Sequence, residues 1–162
     1  MQNHIIYIFG KPGTGKTFLS DEIEKDFLKN EGYDSIAVND SNLKEIISNL
    51  NQFRNTLLVI QSKNLNKHQM QALKRFVQDE EFQRAVVIQS EFDPDSEIRN
   101  YCKVYETGYP YYLWVTQIED NLWEAKGVKS EKVARAHEKN QACELVRGYK
   151  SGGSNRINRE GF

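Results

Sequence analysis

Gly10, Lys11, Pro12, Gly13, Thr14, Gly15, Lys16 and Thr17 form the stretch whose residue types and spacing could do chemistry, since they satisfy G-x-x-x-x-G-K-[ST] at every fixed position. Glycines at this spacing let successive backbone N–H groups turn inward as an anion nest, beside the positive end of the helix that must follow. Lys16 adds a point charge for the β- and γ-phosphates of a nucleoside triphosphate, and the Thr17 hydroxyl is the expected Mg²⁺ ligand. A dinucleotide fingerprint is not supported, because Phe18 stands where a third glycine would follow Gly13 and Gly15.

The second half of such a site needs a carboxylate after the third strand, often with another that activates the attacking water. Here the apolar run TLLVI is followed by Gln61, Ser62 and Lys63, and neither acid is present. Gln61 could orient a water by hydrogen bonding, as a glutamine does in some GTPases, but it cannot replace a metal-bound anion. Asp40 after the second strand and Glu91 or Asp93 after the fourth are the substitutes on offer, although a solvated loop acid is the plainer reading of each. Binding of nucleotide is thus indicated more directly than hydrolysis.

A loop of this kind has to be held between a buried strand and a helix. The run IIYIF at 5–9 suits a strand covered on both faces. A helical pattern follows over about 16–30, with Leu19, Ile23 and Phe27 on one stripe. Further strands are expected at 35–38, 56–60, 85–88 and 102–106. Between them lie a helix capped by Ser41 with Leu43, Ile46, Ile47 and Leu50 on one face, a helix capped by Asn66 with Met70, Leu73 and Val77, and a short turn opened by Pro94 and Asp95. This alternation predicts an α/β, three-layer core around a five-stranded, mainly parallel sheet. After residue 106 the pattern changes to a β-hairpin, 111–118 and 122–126 around Glu119-Asp120-Asn121, and then to a helix over about 130–147 with a thin apolar stripe. The expected division is a nucleotide-binding core at 1–106, the hairpin and basic helix at 107–149, and a polar, flexible tail at 150–162.

With the loop in place, the chain resembles the core of the AAA+ ATPases, most nearly their clamp-loader and DNA-replication branch. The stretch NLNKHQMQALKRFVQDEEFQRAVVIQS is similar to the segment that leads into the sensor 1 strand, which puts Ser90 or Gln89 at the sensor position. EIRNYCKVYE resembles the approach to strand five, where Arg99 takes the place of an arginine finger, or else is a surface arginine on a short helix. The resemblance covers roughly residues 4–106 and implies strand order 5-1-4-3-2, ATP and Mg²⁺ as ligands, catalytic roles for Lys16 and Arg99, and a homo-oligomer. The chain departs from the family in lacking the acids after strand three and a helical lid.

Charge divides the chain at about the same place. The 162 residues carry a net −1, yet residues 1–125 sum to −6 and residues 126–162 to +5. Lys126, Lys129, Lys132, Arg135, Lys139, Arg147, Lys150, Arg156 and Arg159 could meet phosphates of DNA or of a DNA-bound partner, or could simply decorate a solvated helix. Seven of the 18 aromatic residues fall between 101 and 123: Tyr101, Tyr105, Tyr109, Tyr111, Tyr112, Trp114 and Trp123. They could stack on bases or pack on the sheet edge. Phe162 is a candidate partner anchor, while His4, His68 and His137 have no metal-ligand spacing. The two cysteines make no disulfide framework, and no apolar run is long enough for a membrane span, so a cytoplasmic setting is expected.

The function these observations predict is an ATP-binding, AAA+-like protein with slow or partner-activated turnover, acting in DNA replication, recombination or packaging. A small nucleoside or nucleotide kinase and a non-hydrolysing, nucleotide-gated adaptor remain alternatives.

Overall fold

A computed structural model describes residues 4–63, 65–109, 113–128 and 132–147. The expected elements around the loop form where the patterning puts them. Strand β1 (Ile5–Phe9) is buried at all five positions and leads through the glycine loop into α1 (Lys16–Glu31). β2 (Asp34–Asn39), α2 (Leu43–Ser48), β3 (Thr56–Gln61), α3 (Lys67–Gln78), β4 (Arg84–Ser90), α4 (Ser96–Tyr101) and β5 (Lys103–Tyr109) follow. Local chemistry explains several boundaries. Asn66 and Gln69 exchange side-chain and backbone hydrogen bonds in a full capping box at the start of α3. The Asp95 side chain accepts from the Ile98 N–H at the start of α4. Ser41 is not the cap of α2; Asn42 holds that position, and Ser41 instead donates to Asn39.

The sheet itself overturns the expected fold. It has eight strands in the order β2-β3-β4-β1-β5-β6-β7-β8, and the last three are antiparallel. The expected five-stranded, mainly parallel sheet is therefore replaced by a wider mixed sheet, within which β1 to β5 keep the order 5-1-4-3-2. The physical reason lies in β5, which runs on past residue 106 to Tyr109 and would otherwise leave an open edge of unpaired N–H and C=O groups. β6 (Leu113–Glu119) covers that edge and β7 (Leu122–Gly127) pairs with β6 in turn. Asn121 makes their tight turn at φ 61°, a left-handed conformation that asparagine tolerates.

The expected helix over 130–147 is also corrected. Val133–Ala136 is a strand, β8, and only Lys139–Val146 is helical, α5. In β8 the alternating Ala134 and Ala136 turn inward while Val133 and Arg135 stay exposed, a period of two that outweighs the helical propensity of the same residues.

Burial is divided among three clusters. On one face Tyr7, Phe9, Leu58, Ile60, Val86 and Ile88 lie under Leu43, Met70, Leu73 and Phe76 of α2 and α3. On the other, Ile6, Ile8, Leu57 and Val87 pack against Leu19 of α1 and against Trp114. The antiparallel strands have their own small core, in which α5 lays Ala142, Cys143 and Val146 over Leu113, Val115 and Ala125. No helix among the described residues is long and apolar enough to cross a membrane. The tail at 150–162, with Phe162, lies outside the described residues.

Candidate functional site

The glycine loop leaves the carboxyl end of β1, where ligands of open α/β sheets gather. Gly15 sits at the N-cap of α1 with φ 94° and ψ 15°, and no side chain caps the helix. A helix start without a side-chain cap suits an external anion. Gly13, at φ 79°, has nothing within 4 Å of where a Cβ would be, whereas a Cβ on Gly10 would stand 2.2 Å from Thr107 Oγ1 and one on Gly15 2.8 Å from Val128 Cγ1. The backbone therefore has to be glycine at two places because the antiparallel half of the sheet closes on it. Thr14 strengthens that contact: its hydroxyl donates to the Lys11 carbonyl at 2.7 Å and lies 2.8 Å from the Thr107 hydroxyl, which in turn reaches the Phe9 carbonyl at 3.3 Å. Lys11, Pro12 and Gly13 form the exposed crest of the loop.

Lys16 Nζ donates to the Gly10 carbonyl at 2.5 Å, which folds the ammonium back over its own loop. Burial pushes its pKa below the usual lysine value, and the Glu91 carboxylate opposes that shift. A half-buried cation whose side-chain hydrogen bond goes to a neutral carbonyl gains from an incoming anion.

Beside the lysine is a cleft of about 260 Å³ lined by residues from three strand ends, among them Asp40, Gln61, Ser62, Gln89 and Glu91. Thr17 Oγ1 donates to Gln89 Oε1 at 3.1 Å, and Gln61 Nε2 donates to the same oxygen at 3.2 Å. The register that pairs Gln61 with Gln89 across β3 and β4 dictates this meeting. Ser62 Oγ donates to Asp40 Oδ1 at 2.6 Å at the ends of β3 and β2. Ser90, the other sensor candidate, accepts from the Phe92 N–H and also lines the cleft.

The sequence candidates are thus sorted by position. Lys16, Thr17, Gln61, Gln89, Asp40 and Glu91 come together. Asp93 and Arg99 do not join them: they pair with each other, and the Arg99 guanidinium lies 5.6 Å from the centre of the Phe9 ring. Arg99 lines a separate groove of about 420 Å³ on the sheet face between α4 and α5. The sequence reading missed Thr107 and Val128, which touch the loop from about a hundred residues away and carry no motif.

The oxygen donors at the cleft suit Mg²⁺, a hard cation that takes one or two carboxylates and completes its shell with water and phosphate. Among the described residues no three His, Cys, Asp or Glu side chains are grouped as a protein-only metal site.

The C-terminal candidates are largely engaged within the fold. Trp114 is buried edge-on against Tyr105, with ring centres 4.9 Å apart. Arg135 pairs with Glu124 at 2.9 Å, and Lys139 pairs with Glu106 at 3.2 Å while lying 5.8 Å from the Trp123 ring centre. Lys74 lies over Tyr101 in the same way, at 4.9 Å. His137 Nδ1 is 2.9 Å from the Asn121 carbonyl. Tyr111, Tyr112, Lys129, Lys150, Arg156 and Arg159 lie outside the described residues.

No protein-family model matches the chain, and no curated protein matches its sequence. Function is read from the residues themselves.

Proposed function

We propose that this protein binds ATP with Mg²⁺ and turns it over slowly, or only with a partner, in the manner of an AAA+-like core. The observation that carries this reading is the site's composition: a complete phosphate-loop motif with Lys16 over it opens directly onto a polar cleft. In this reading the amides of residues 13–17 and the Lys16 ammonium hold the phosphates, and Thr17 Oγ1 offers a lone pair to the metal while its O–H keeps donating to Gln89 Oε1. Mg²⁺, when bound, supplies charge that offsets the developing negative charge on the phosphate oxygens. Gln61, anchored on Gln89, has an amide oxygen to orient a water. With no carboxylate at the end of β3, turnover by the isolated protein is expected below about 1 s⁻¹, the floor of ordinary enzyme rates. Calorimetric titration with ATP and Mg²⁺ tests the reading. Saturable binding that Lys16→Ala weakens supports it, and equal binding by both proteins overturns it.

The packing of Thr107 and Val128 on the loop favours a second role, that of a nucleotide-gated adaptor. Hydrogen exchange with and without ATP tests this reading. Added protection in β7 and α5 supports it, and protection confined to the loop counts against it.

A further inference from the structure

The proposed site has a metal to hold and no acid where β3 ends. Two carboxylates line the cleft, and their surroundings differ. Glu91 faces Lys16 closely enough to act on its charge. Its negative charge is therefore set against a cation the phosphates also need. Asp40 has no such partner: it makes no ion pair among the described residues, and the group it accepts from is the neutral hydroxyl of Ser62.

Position favours the same residue. β2 pairs with β3 so that Asn39 faces Gln61, which brings Asp40 beside Ser62, immediately past the end of β3. The turn that presents it is pinned by side-chain bonds: Asn39 N–H donates to Asn42 Oδ1 at 2.8 Å, Ser41 N–H to Asn39 Oδ1 at 2.9 Å, and Asn42 Nδ2 to the Ala37 carbonyl at 3.2 Å. β2 lies two strands from β4, whose Gln89 holds Thr17. At about 4.8 Å per strand that is about 10 Å across the sheet. A carboxylate at that distance reaches an ion on Thr17 through water rather than directly.

We propose that Asp40, positioned by Ser62, is the carboxylate that serves the nucleotide-bound Mg²⁺ in place of the acid missing after β3. The proposal rests on the nucleotide reading above. It is tested by measuring ATP affinity calorimetrically in EDTA and again in excess Mg²⁺, for the wild type and for Asp40→Asn, Ser62→Ala, Glu91→Gln and Lys16→Ala. Asp40→Asn is expected to bind ATP in EDTA at least as well as the wild type and to lose about tenfold of the gain that Mg²⁺ confers, the range typical of an outer-shell ligand. Ser62→Ala should lose a smaller part, and Glu91→Gln should keep the gain. An undiminished Mg²⁺ gain in Asp40→Asn overturns the proposal, as does a loss found in Glu91→Gln instead. Failure of the nucleotide reading looks different: the wild type binds no ATP, or Lys16→Ala binds like the wild type, and both statements then fall together.

Discussion

The parallel half of the sheet, β1 to β5, and the antiparallel half, β5 to β8, bury their residues in different ways. β1 and β4 are covered on both faces and read as unbroken apolar runs, so their polar groups are pushed to the strand ends. That is where Gln61, Gln89 and the glycine loop meet. The antiparallel strands alternate, with Ala134 and Ala136 inward and Val133 and Arg135 outward on β8, and α5 covers one of their faces. Their contribution to the site is steric: Thr107 and Val128 fix the loop from the side. One half carries the polar groups of the candidate site, and the other sets the shape in which they are held.

The sharpest way to break this division is at the seam between the halves. Gly15→Ala is expected to cost about 3 kcal/mol, combining left-handed strain with overpacking against Val128. In a chain of this length that lowers Tm by about 10 °C. Gly13→Ala, equally left-handed but facing open space, should cost only about 1 kcal/mol. Adding Val128→Ala to Gly15→Ala should recover part of the loss in a double-mutant cycle, and strict additivity would show that the halves do not meet there.

Lys16→Ala probes the parallel half alone. Losing its charge-assisted bonds should weaken ATP about 10–100-fold, from about 1.5–3 kcal/mol, with Tm nearly unchanged. Calorimetry and a thermal melt of the same sample check both statements. Thr107→Val removes the hydroxyl that meets Thr14 and the Phe9 carbonyl, and should cost about 1 kcal/mol in chemical denaturation.

The smallest effect concerns one thiol in each half. Burial pushes Cys102, at the head of β5, up to about 12 and Cys143, on α5, up to about 11. Both stay protonated in the fold when the unfolded thiols ionise near pH 9. Their contribution to stability is therefore complete below that pH and is lost as the pH climbs through the folded values. At pH 8 neither thiol should react with a disulfide reagent faster than the fold opens. Separate rates for Cys102 and Cys143 would give the opening of each half, and ATP is expected to slow both if the loop joins them.

How much of this was legible from residue order varies with the range of the interaction. Helix ends were, where a side chain reaches its own backbone, as at Asn66 and Asp95. The strand-loop-helix turn at the glycines was, because its residues lie within eight consecutive positions. The width of the sheet was not, since nothing local announces that β5 continues past residue 106 to take an antiparallel partner. The basic helix misled because Lys, Arg, Glu and Ala favour helices intrinsically, while pairing of Val133–Ala136 with β7 decides otherwise.

The sequence by itself determined the order of buried strands and helices of the parallel half and the place of the glycine loop between β1 and α1, since both depend on residues close together in the chain. Only the tertiary structure decided which polar groups share the cleft. Gln89 lies 72 positions from Thr17 and Asp40 lies 22 from Ser62, and strand register rather than spacing brings them into hydrogen-bond reach.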